Sequence, residues 1–142
     1  MILAIARIHQ VIKFQILAFK FIQHHVVRLL WCQVELFDVV FSYSSLEHSG
    51  LGRYGDPLAP YGDAEAVAQM WCAVRPGGLF FLALPSYPDV ARRRLQCHIE
   101  WNALRVYGYV RLQHVTANWE VLDEVNMHDH YPHIIYVLRT LR

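Results

Sequence analysis

The first 34 residues contain no glycine, proline, serine, threonine, asparagine, aspartate or glutamate. This segment therefore lacks the usual turn formers and helix N-caps, and it is expected to form continuous structure. Its basic residues fall mostly on one face at helical spacing, opposite a set of isoleucines, which predicts a basic amphipathic helix. Alternation of apolar and polar residues from Ile12 to Ile16 leaves a strand as the alternative.

The same segment also lacks an uncharged apolar run of the ~20 residues that a membrane-spanning helix needs. A secretory signal is disfavoured because Arg7 follows the first apolar residues instead of preceding them. We expect a helix that packs on the rest of the chain. Contact of residues 1–34 with a membrane surface, a mitochondrial transit peptide and a truncated or wrongly assigned start remain open alternatives.

A clustered basic surface is missing from the remainder of the chain. Four of the 13 lysines and arginines precede the first acidic residue, Glu35, and all 12 acidic residues lie from there on, so residues 35–142 carry a net charge of −3. Nucleic-acid binding needs clustered basic charge, and the one cluster is the triplet at 92–94, which is typical of a solvated face. We therefore expect no nucleic-acid partner.

Cysteines are few. Cys32, Cys72 and Cys97 are odd in number and widely spaced, which fits neither a disulfide framework nor a zinc site. We interpret two of them as small buried apolar residues in a reducing compartment, and we expect an intracellular, cytoplasmic location.

With 142 residues, 55% of them apolar and 18% charged, the chain is long enough for one packed core. We divide it into the basic apolar segment 1–34 and an α/β domain over 35–142. Residues 37–43, FDVVFSY, are apolar on both faces and predict a buried parallel strand that ends at Ser44 and Ser45. A helix with Asp63 as its N-cap should continue to the Pro-Gly-Gly turn at 76–78.

A second buried strand, LFFLAL, follows that turn and ends at Pro85, which completes a right-handed parallel βαβ unit. Further on we predict a short extended stretch near Cys97–Trp101 and a helix from Asn102 to about Gln113. The segments WEVLDEV and HIIYVLRT alternate in polarity and predict two antiparallel strands at the end of the chain.

A long loop between residues 44 and 63 holds four of the seven glycines, and such loops usually carry function. Its G-x-G-x-x-G pattern at 50–55 matches a dinucleotide fingerprint. Asp56 and Pro57 follow, however, and no helix opens there, so we interpret the glycines as parts of a structured loop.

Glu47 and His48 lie just beyond the carboxyl end of the first predicted strand, where open α/β sheets bind ligands. An imidazole there could accept a proton from an attacking oxygen or nitrogen, so we take both as candidate catalytic residues. The alternative is that they satisfy backbone groups of the loop. The histidines at 128, 130 and 133 are interpreted as surface residues of a hairpin loop, and no metal site is predicted.

FDVVFSYSSLEH, followed by a helix and RPGGLFFLALP, resembles the fourth strand, LEH motif, PGG turn and fifth strand of class I S-adenosylmethionine-dependent methyltransferases. SSLEHSGLGRYGDPLAPYGD, with NALRVYG and WEVLD, resembles more closely a family of uncharacterised methyltransferase-like proteins common in nematodes and also found in bacteria. The resemblance covers about Leu36 to Val125.

The resemblance implies a Rossmann-like methyltransferase half-domain: a parallel βαβ unit and a C-terminal antiparallel strand pair, preceded by an N-terminal amphipathic segment. It implies S-adenosylmethionine as cofactor, at Ser44, Ser45 and Leu46, and a small-molecule or glycan-like substrate. The expected substrate-binding residues are Arg53, Tyr54, Asp56, Arg105 and Tyr107. Arg53 could hold an acidic group of that substrate.

Two departures from the family lower the expected activity. Leu104 stands where relatives usually have a histidine, and residues 1–34 contain neither the glycine-rich turn nor the acid that hold the cofactor. We expect impaired cofactor binding and weak or absent methyl transfer from a truncated domain.

The family's sheet order would also leave strand 37–43 on an exposed edge, to be covered by residues 1–34 or paired in a homodimer. The alternative function is a non-catalytic interaction or membrane-peripheral module.

Overall fold

The computed structural model describes residues 37–87, 97–127 and 133–142. The prediction of a helix in the N-terminal segment lies outside these residues. The elements in chain order are β1 (Phe37–Tyr43), a 3-10 turn (Leu46–His48), α1 (Gly62–Ala73), β2 (Val74–Pro85), β3 (His98–Glu100), β4 (Leu104–Val106), α2 (Tyr109–Val115), β5 (Trp119–Met127) and β6 (His133–Thr140).

Four strands form the main sheet, in the order β1-β2-β6-β5. β1 and β2 are parallel, as a strand-helix-strand order requires, while β6 runs antiparallel to both β2 and β5. This arrangement confirms the predicted βαβ unit and the predicted antiparallel pair. β3 and β4 form a separate two-stranded hairpin.

The core lies on the inner strands of this sheet. Alternate residues of β6 are buried, because side chains on a strand point to opposite faces in turn, whereas β2 is buried at every residue from Leu82 to Pro85. α1 adds Ala66 and Val67 to the core, and Trp119 packs against Phe80 with their rings 5.2 Å apart. β1 was predicted to be buried on both faces; this is wrong for Phe41 and Tyr43, which are 45% and 52% exposed.

Two helix boundaries differ from the sequence prediction. α1 begins at Gly62 with Tyr61 as N-cap, so Asp63 lies inside the first turn. The helix then ends at Ala73, before the Pro-Gly-Gly segment, which belongs to β2. The strand accommodates this segment through a register shift, since Phe37 pairs with Val74 but Val39 pairs with Leu79.

The predicted helix from Asn102 is also wrong at its start. Residues 101–103 form a turn in which Asn102 has a φ of +50°, and the chain then enters β4. Strand pairing outweighs the local N-cap signal here, because β4 pairs with β3 and the Tyr107 amide donates to the Pro85 carbonyl at 2.8 Å. α2 begins only at Tyr109.

The cysteines differ in state. Cys72 is disulfide-bonded, which corrects the expectation that the cysteines stay unpaired. Cys97 is free and exposed. Among the described residues, no helix is both long and apolar enough to cross a membrane.

Candidate active site

The carboxyl end of β1 turns sharply into the 3-10 turn. Ser44 has a φ of +44°, a left-handed conformation that is uncommon for serine, and its amide still bonds to the Ala83 carbonyl at 3.2 Å. This bend brings the Ser44 hydroxyl to Glu47, where it donates a 2.6 Å hydrogen bond to Oε1. Glu47 is fully buried, and its Oε2 has no hydrogen-bond partner within the described residues.

His48 is fixed between the loop and the β3–β4 hairpin. Its Nδ1 lies 2.5 Å from the carbonyl oxygen of Ala103, and its side chain is only 13% exposed. A carbonyl can only accept, so Nδ1 carries the hydrogen and Nε2 of the neutral ring holds a lone pair. Nε2 lies 3.6 Å from Oε1 of Glu47. This pairing of an oriented imidazole with a buried carboxylate suits a general base.

Arg53 and Tyr54 lie next to His48 at the surface. The Tyr54 ring meets the His48 ring edge-on at 5.6 Å, and the Arg53 guanidinium lies 5.5 Å from the centre of the Tyr54 ring. Arg53 also donates through Nη1 to the Ala103 carbonyl at 3.1 Å, so it shares that oxygen with His48. Two of the five predicted substrate-binding residues are therefore close to the predicted base.

Asp56 shapes the loop that carries these side chains. Its carboxylate accepts hydrogen bonds from the backbone amides of Gly50, at 2.5 Å, and Tyr54, at 3.3 Å. Gly50 has a φ of +76°, and a Cβ there would lie 2.1 Å from the Ala59 carbonyl oxygen. This glycine is required by the close approach of two backbone segments, which supports the interpretation of a structured loop.

A buried ionic cluster lies beneath the loop. Asp63 is fully buried and accepts bonds from Arg111, whose Nε lies 2.8 Å from Oδ2 and whose Nη2 lies 2.5 Å from Oδ1. The Tyr107 hydroxyl donates to Oδ2 at 2.8 Å, and Arg105 Nε lies 3.8 Å from Oδ1. These contacts join α1, β4 and α2.

The cluster determines the ionisation of its members. Burial alone would raise the pKa of Asp63, but the bonds from Arg111 and Tyr107 and the charge of Arg105 outweigh it, so this pKa lies below its usual value. Burial and the nearby Asp63 carboxylate raise the pKa of Tyr107 well above the ordinary value. The hydrogen bond to Asp63 raises the pKa of Arg111.

Arg105 is 1% exposed, and its side chain hydrogen-bonds to the backbone of the loop. Its guanidinium donates to the carbonyls of Ser49 and Ala59, the latter at 3.2 Å, and lies 3.4 Å from the Glu47 carbonyl. Arg105 and Tyr107 were predicted to bind substrate, and in this structure their polar groups contact protein. Substrate contact by these two residues stays a prediction, while their contacts support a role in holding the loop.

The three predicted cofactor-binding residues are consecutive: Ser44 and Ser45 connect β1 to the 3-10 turn, and Leu46 begins that turn. Leu46 is 5% exposed, and its side chain packs in the core. The Ser45 carbonyl accepts a hydrogen bond from the His48 amide at 3.3 Å. The backbone thus leads directly from the end of β1 through these residues to the candidate base, His48.

His133 is a site neighbour that the sequence interpretation missed. It was assigned to the surface of a loop, but it opens β6, where its Nε2 lies 3.2 Å from the Ser44 hydroxyl and its ring stacks on Tyr43 at 5.9 Å. Because β6 runs antiparallel to β2, its first residue lies at the edge where β1 ends. The strand order therefore contains the information that His133 lies near the end of β1. The described part of the chain holds no group of three potential metal ligands, and positions 128 and 130 lie outside it.

Comparison with known proteins gives a family and a fold. The family described as "Caenorhabditis protein of unknown function, DUF268" matches residues 6–138. The structure is similar to the 1,6-didemethyltoxoflavin-N1-methyltransferase of Burkholderia thailandensis, solved with 1,6-didemethyltoxoflavin and S-adenosylhomocysteine, at a TM-score of 0.55 and 12% identity over 85% of this chain and 48% of that chain.

A second similar structure is the N-methyltransferase NodS of Bradyrhizobium japonicum, solved in complex with S-adenosylhomocysteine. Its TM-score is 0.51, with 16% identity over 85% of this chain and 52% of that chain. The chain therefore spans about half the length of both enzymes and shares their fold. A comparison with curated proteins finds no match. The predicted resemblance to a nematode family with a methyltransferase-like fold is confirmed.

Proposed function

The chain belongs to the DUF268 family of Caenorhabditis proteins, and we propose that it acts in S-adenosylmethionine-dependent methyl transfer to an oxygen or nitrogen acceptor. The observation that carries this proposal is the position of His48. Its Nδ1 hydrogen bond to Ala103 leaves Nε2 as a proton acceptor at the carboxyl end of a parallel strand, next to a buried carboxylate.

His48 performs the proton transfer in this proposal. The acceptor's O–H or N–H proton moves to Nε2, and the lone pair that remains on the acceptor becomes the nucleophile. Glu47 stabilises the imidazolium that results, because its carboxylate lies 3.6 Å from the protonated nitrogen. Bound S-adenosylmethionine would supply an electrophilic methyl group on a sulfonium sulfur.

The described residues fit one side of such a cofactor. Ser44, Ser45 and Leu46 would hold it at the edge of the sheet, where the buried carboxylate of Glu47 has one oxygen without a hydrogen-bond partner in the described part of the chain. An anionic group at this place complements a sulfonium cation. The two similar methyltransferases were solved with S-adenosylhomocysteine, which supports the choice of cofactor.

We expect this chain to bind the cofactor weakly. Residues 1–34 contain no glycine and no acidic residue, so they supply neither a glycine-rich turn for the methionine end nor an acid for the ribose. Positioning accounts for much of the rate of a displacement reaction, so a partial site should also transfer methyl groups slowly. A dissociation constant weaker than about 100 µM is the expected result.

The acceptor would carry an acidic group. Arg53 lies at the surface beside Tyr54, and both are adjacent to His48. A carboxylate held by the Arg53 guanidinium would bring a neighbouring hydroxyl or amine close to the His48 ring. Small aromatic acids such as salicylate and anthranilate are suitable probes, with phenol as the matched acceptor that lacks the acid.

The cofactor position is tested by titrating the ¹⁵N-labelled chain with S-adenosylhomocysteine up to about 1 mM, where a site with a Kd of about 1 mM is half occupied. We expect amide shifts at residues 44–48 and none along the outer strand β5, which serves as the internal control. Unchanged amides at 44–48 would contradict the proposed function. Saturation at low micromolar concentration would contradict the expectation of a weak site.

A further inference from the structure

The Ser44 hydroxyl has two neighbours and only one proton. It donates to Glu47 Oε1 at 2.6 Å, and His133 Nε2 lies 3.2 Å from the same oxygen. Because the serine proton is committed to the carboxylate, the hydroxyl oxygen must accept from His133. Nε2 of His133 therefore carries a hydrogen, and the bonds run in one direction from His133 to Ser44 and then to Glu47.

This direction of hydrogen bonding argues against a nucleophilic role for Ser44. A nucleophilic serine would donate its proton to a histidine, and Ser44 does the opposite. The bonds instead end on Oε1 of Glu47, the same oxygen that lies 3.6 Å from Nε2 of His48. His48 thus lies beside this carboxylate, and His133 reaches it through the Ser44 hydroxyl.

The backbone geometry at Ser44 is consistent with this direction of hydrogen bonding. The left-handed conformation at φ +44° costs a serine about 1 kcal/mol or more, and glycine would adopt it without that cost. The bend places the hydroxyl between Glu47 and the first residue of β6. The His133 ring also stacks on the Tyr43 ring, with 5.9 Å between the ring centres.

We propose that His133 is a positioning residue of this site, which acts through Ser44 to hold the Glu47 carboxylate beside His48. The role rests on the proposed function, because it matters only if His48 accepts a proton. Because His133 is the first residue of β6, the position of this strand would then influence the orientation of His48.

Two variants separate the hydrogen bond from the ring packing. His133→Gln keeps an amide N–H where Nε2 lies and loses the ring, whereas His133→Phe keeps the stack on Tyr43 and loses the donor. The assay is tritium transfer from methyl-labelled S-adenosylmethionine to salicylate or anthranilate. We expect kcat to fall about tenfold in His133→Phe and to be retained in His133→Gln, with KM for the acceptor little changed in both.

A double-mutant cycle with Ser44→Gly extends the test. Glycine relieves the left-handed strain, but it also removes the hydroxyl that bonds the buried Glu47 carboxylate, so the variant should be less stable than the wild type and should lose kcat to the same extent as His133→Phe. Combining the two changes should cost no more than either one alone, because both break one chain of bonds. Full additivity, or normal activity in His133→Phe, would overturn the positioning role.

The ring tautomer gives a readout that needs no turnover. A ¹H–¹⁵N spectrum of the imidazoles should show a hydrogen on Nε2 of His133, and an Nδ1–H tautomer with a bare Nε2 would overturn the inference. If the wild type transfers no label but His133 shows the Nε2–H tautomer, the hydrogen-bond chain is correct and the proposed function is overturned. The positioning role of His133 in catalysis then falls with that function.

Discussion

Arg111 bonds both carboxylate oxygens of Asp63, at 2.8 and 2.5 Å, and thereby ties α2 to the first turn of α1. Asp63 is fully buried, whereas the Arg111 side chain is 22% exposed. Pairing offsets the cost of burying a carboxylate, and here Tyr107 supplies a further donor. The loop with the candidate site packs on this cluster.

Replacing Asp63 by asparagine should destabilise the fold strongly. Asp63→Asn leaves the Arg111 and Arg105 guanidinium groups without their buried counter-charge, and such a loss costs about 3 to 5 kcal/mol. Glu120→Gln is the matched control, because the Glu120–Arg139 pair is 43% and 46% exposed and should contribute at most about 1 kcal/mol. Urea unfolding measures both, and similar losses in the two variants would contradict the account.

Acid should remove the contribution of Asp63. Its pKa is lowered in the fold from an ordinary value of 3.8, so its stabilisation is complete above that value and is lost as pH falls through the lower folded pKa. The difference in unfolding free energy between wild type and Asp63→Asn should therefore shrink in this range. Urea titrations at a series of acidic pH values measure it, and a constant difference below pH 3.8 would refute the assignment.

Gly50 and Gly55 share a left-handed backbone but differ in their surroundings. A Cβ at Gly50 would lie 2.1 Å from the Ala59 carbonyl oxygen, while one at Gly55 would meet nothing within 4 Å. Gly50→Ala should cost more than about 3 kcal/mol, and Gly55→Ala only the backbone strain of about 1 to 2 kcal/mol. Thermal or urea unfolding of the pair tests whether the loop conformation depends on this close approach.

The strands of the main sheet were predictable because their sequences carry the signal locally. FDVVFSY and LFFLAL are short apolar runs bounded by turn residues, and the last two strands alternate in polarity. The order strand, helix, strand then required a parallel pair. Exposure of Phe41 was not predictable from an apolar run, because exposure depends on what covers the strand.

Long-range pairing explains what the sequence prediction missed. Asp63 was interpreted as a helix cap because its local context fits one, but its partners Tyr107 and Arg111 lie 44 and 48 residues later. The same holds for Asn102, whose place in a hairpin turn depends on β3 and β4. His133 reaches Ser44 across 89 residues, and only the strand order brings them to one edge.

His48 is the residue on which the proposed function depends. Asparagine at this position could still donate to the Ala103 carbonyl through its amide, as Nδ1 does, but it has no counterpart of Nε2. The variant His48→Asn therefore keeps the tie between loop and hairpin while removing the proton acceptor. Its stability and its amide response to S-adenosylhomocysteine should match the wild type.

The direct test is the rate of tritium transfer from methyl-labelled S-adenosylmethionine to salicylate or anthranilate, compared between the wild type and His48→Asn at the same cofactor concentration. Loss of a general base lowers kcat by about a hundredfold or more, so the account predicts slow transfer by the wild type and none detectable by the variant. Equal transfer by the two proteins would contradict the assignment of His48 as the base.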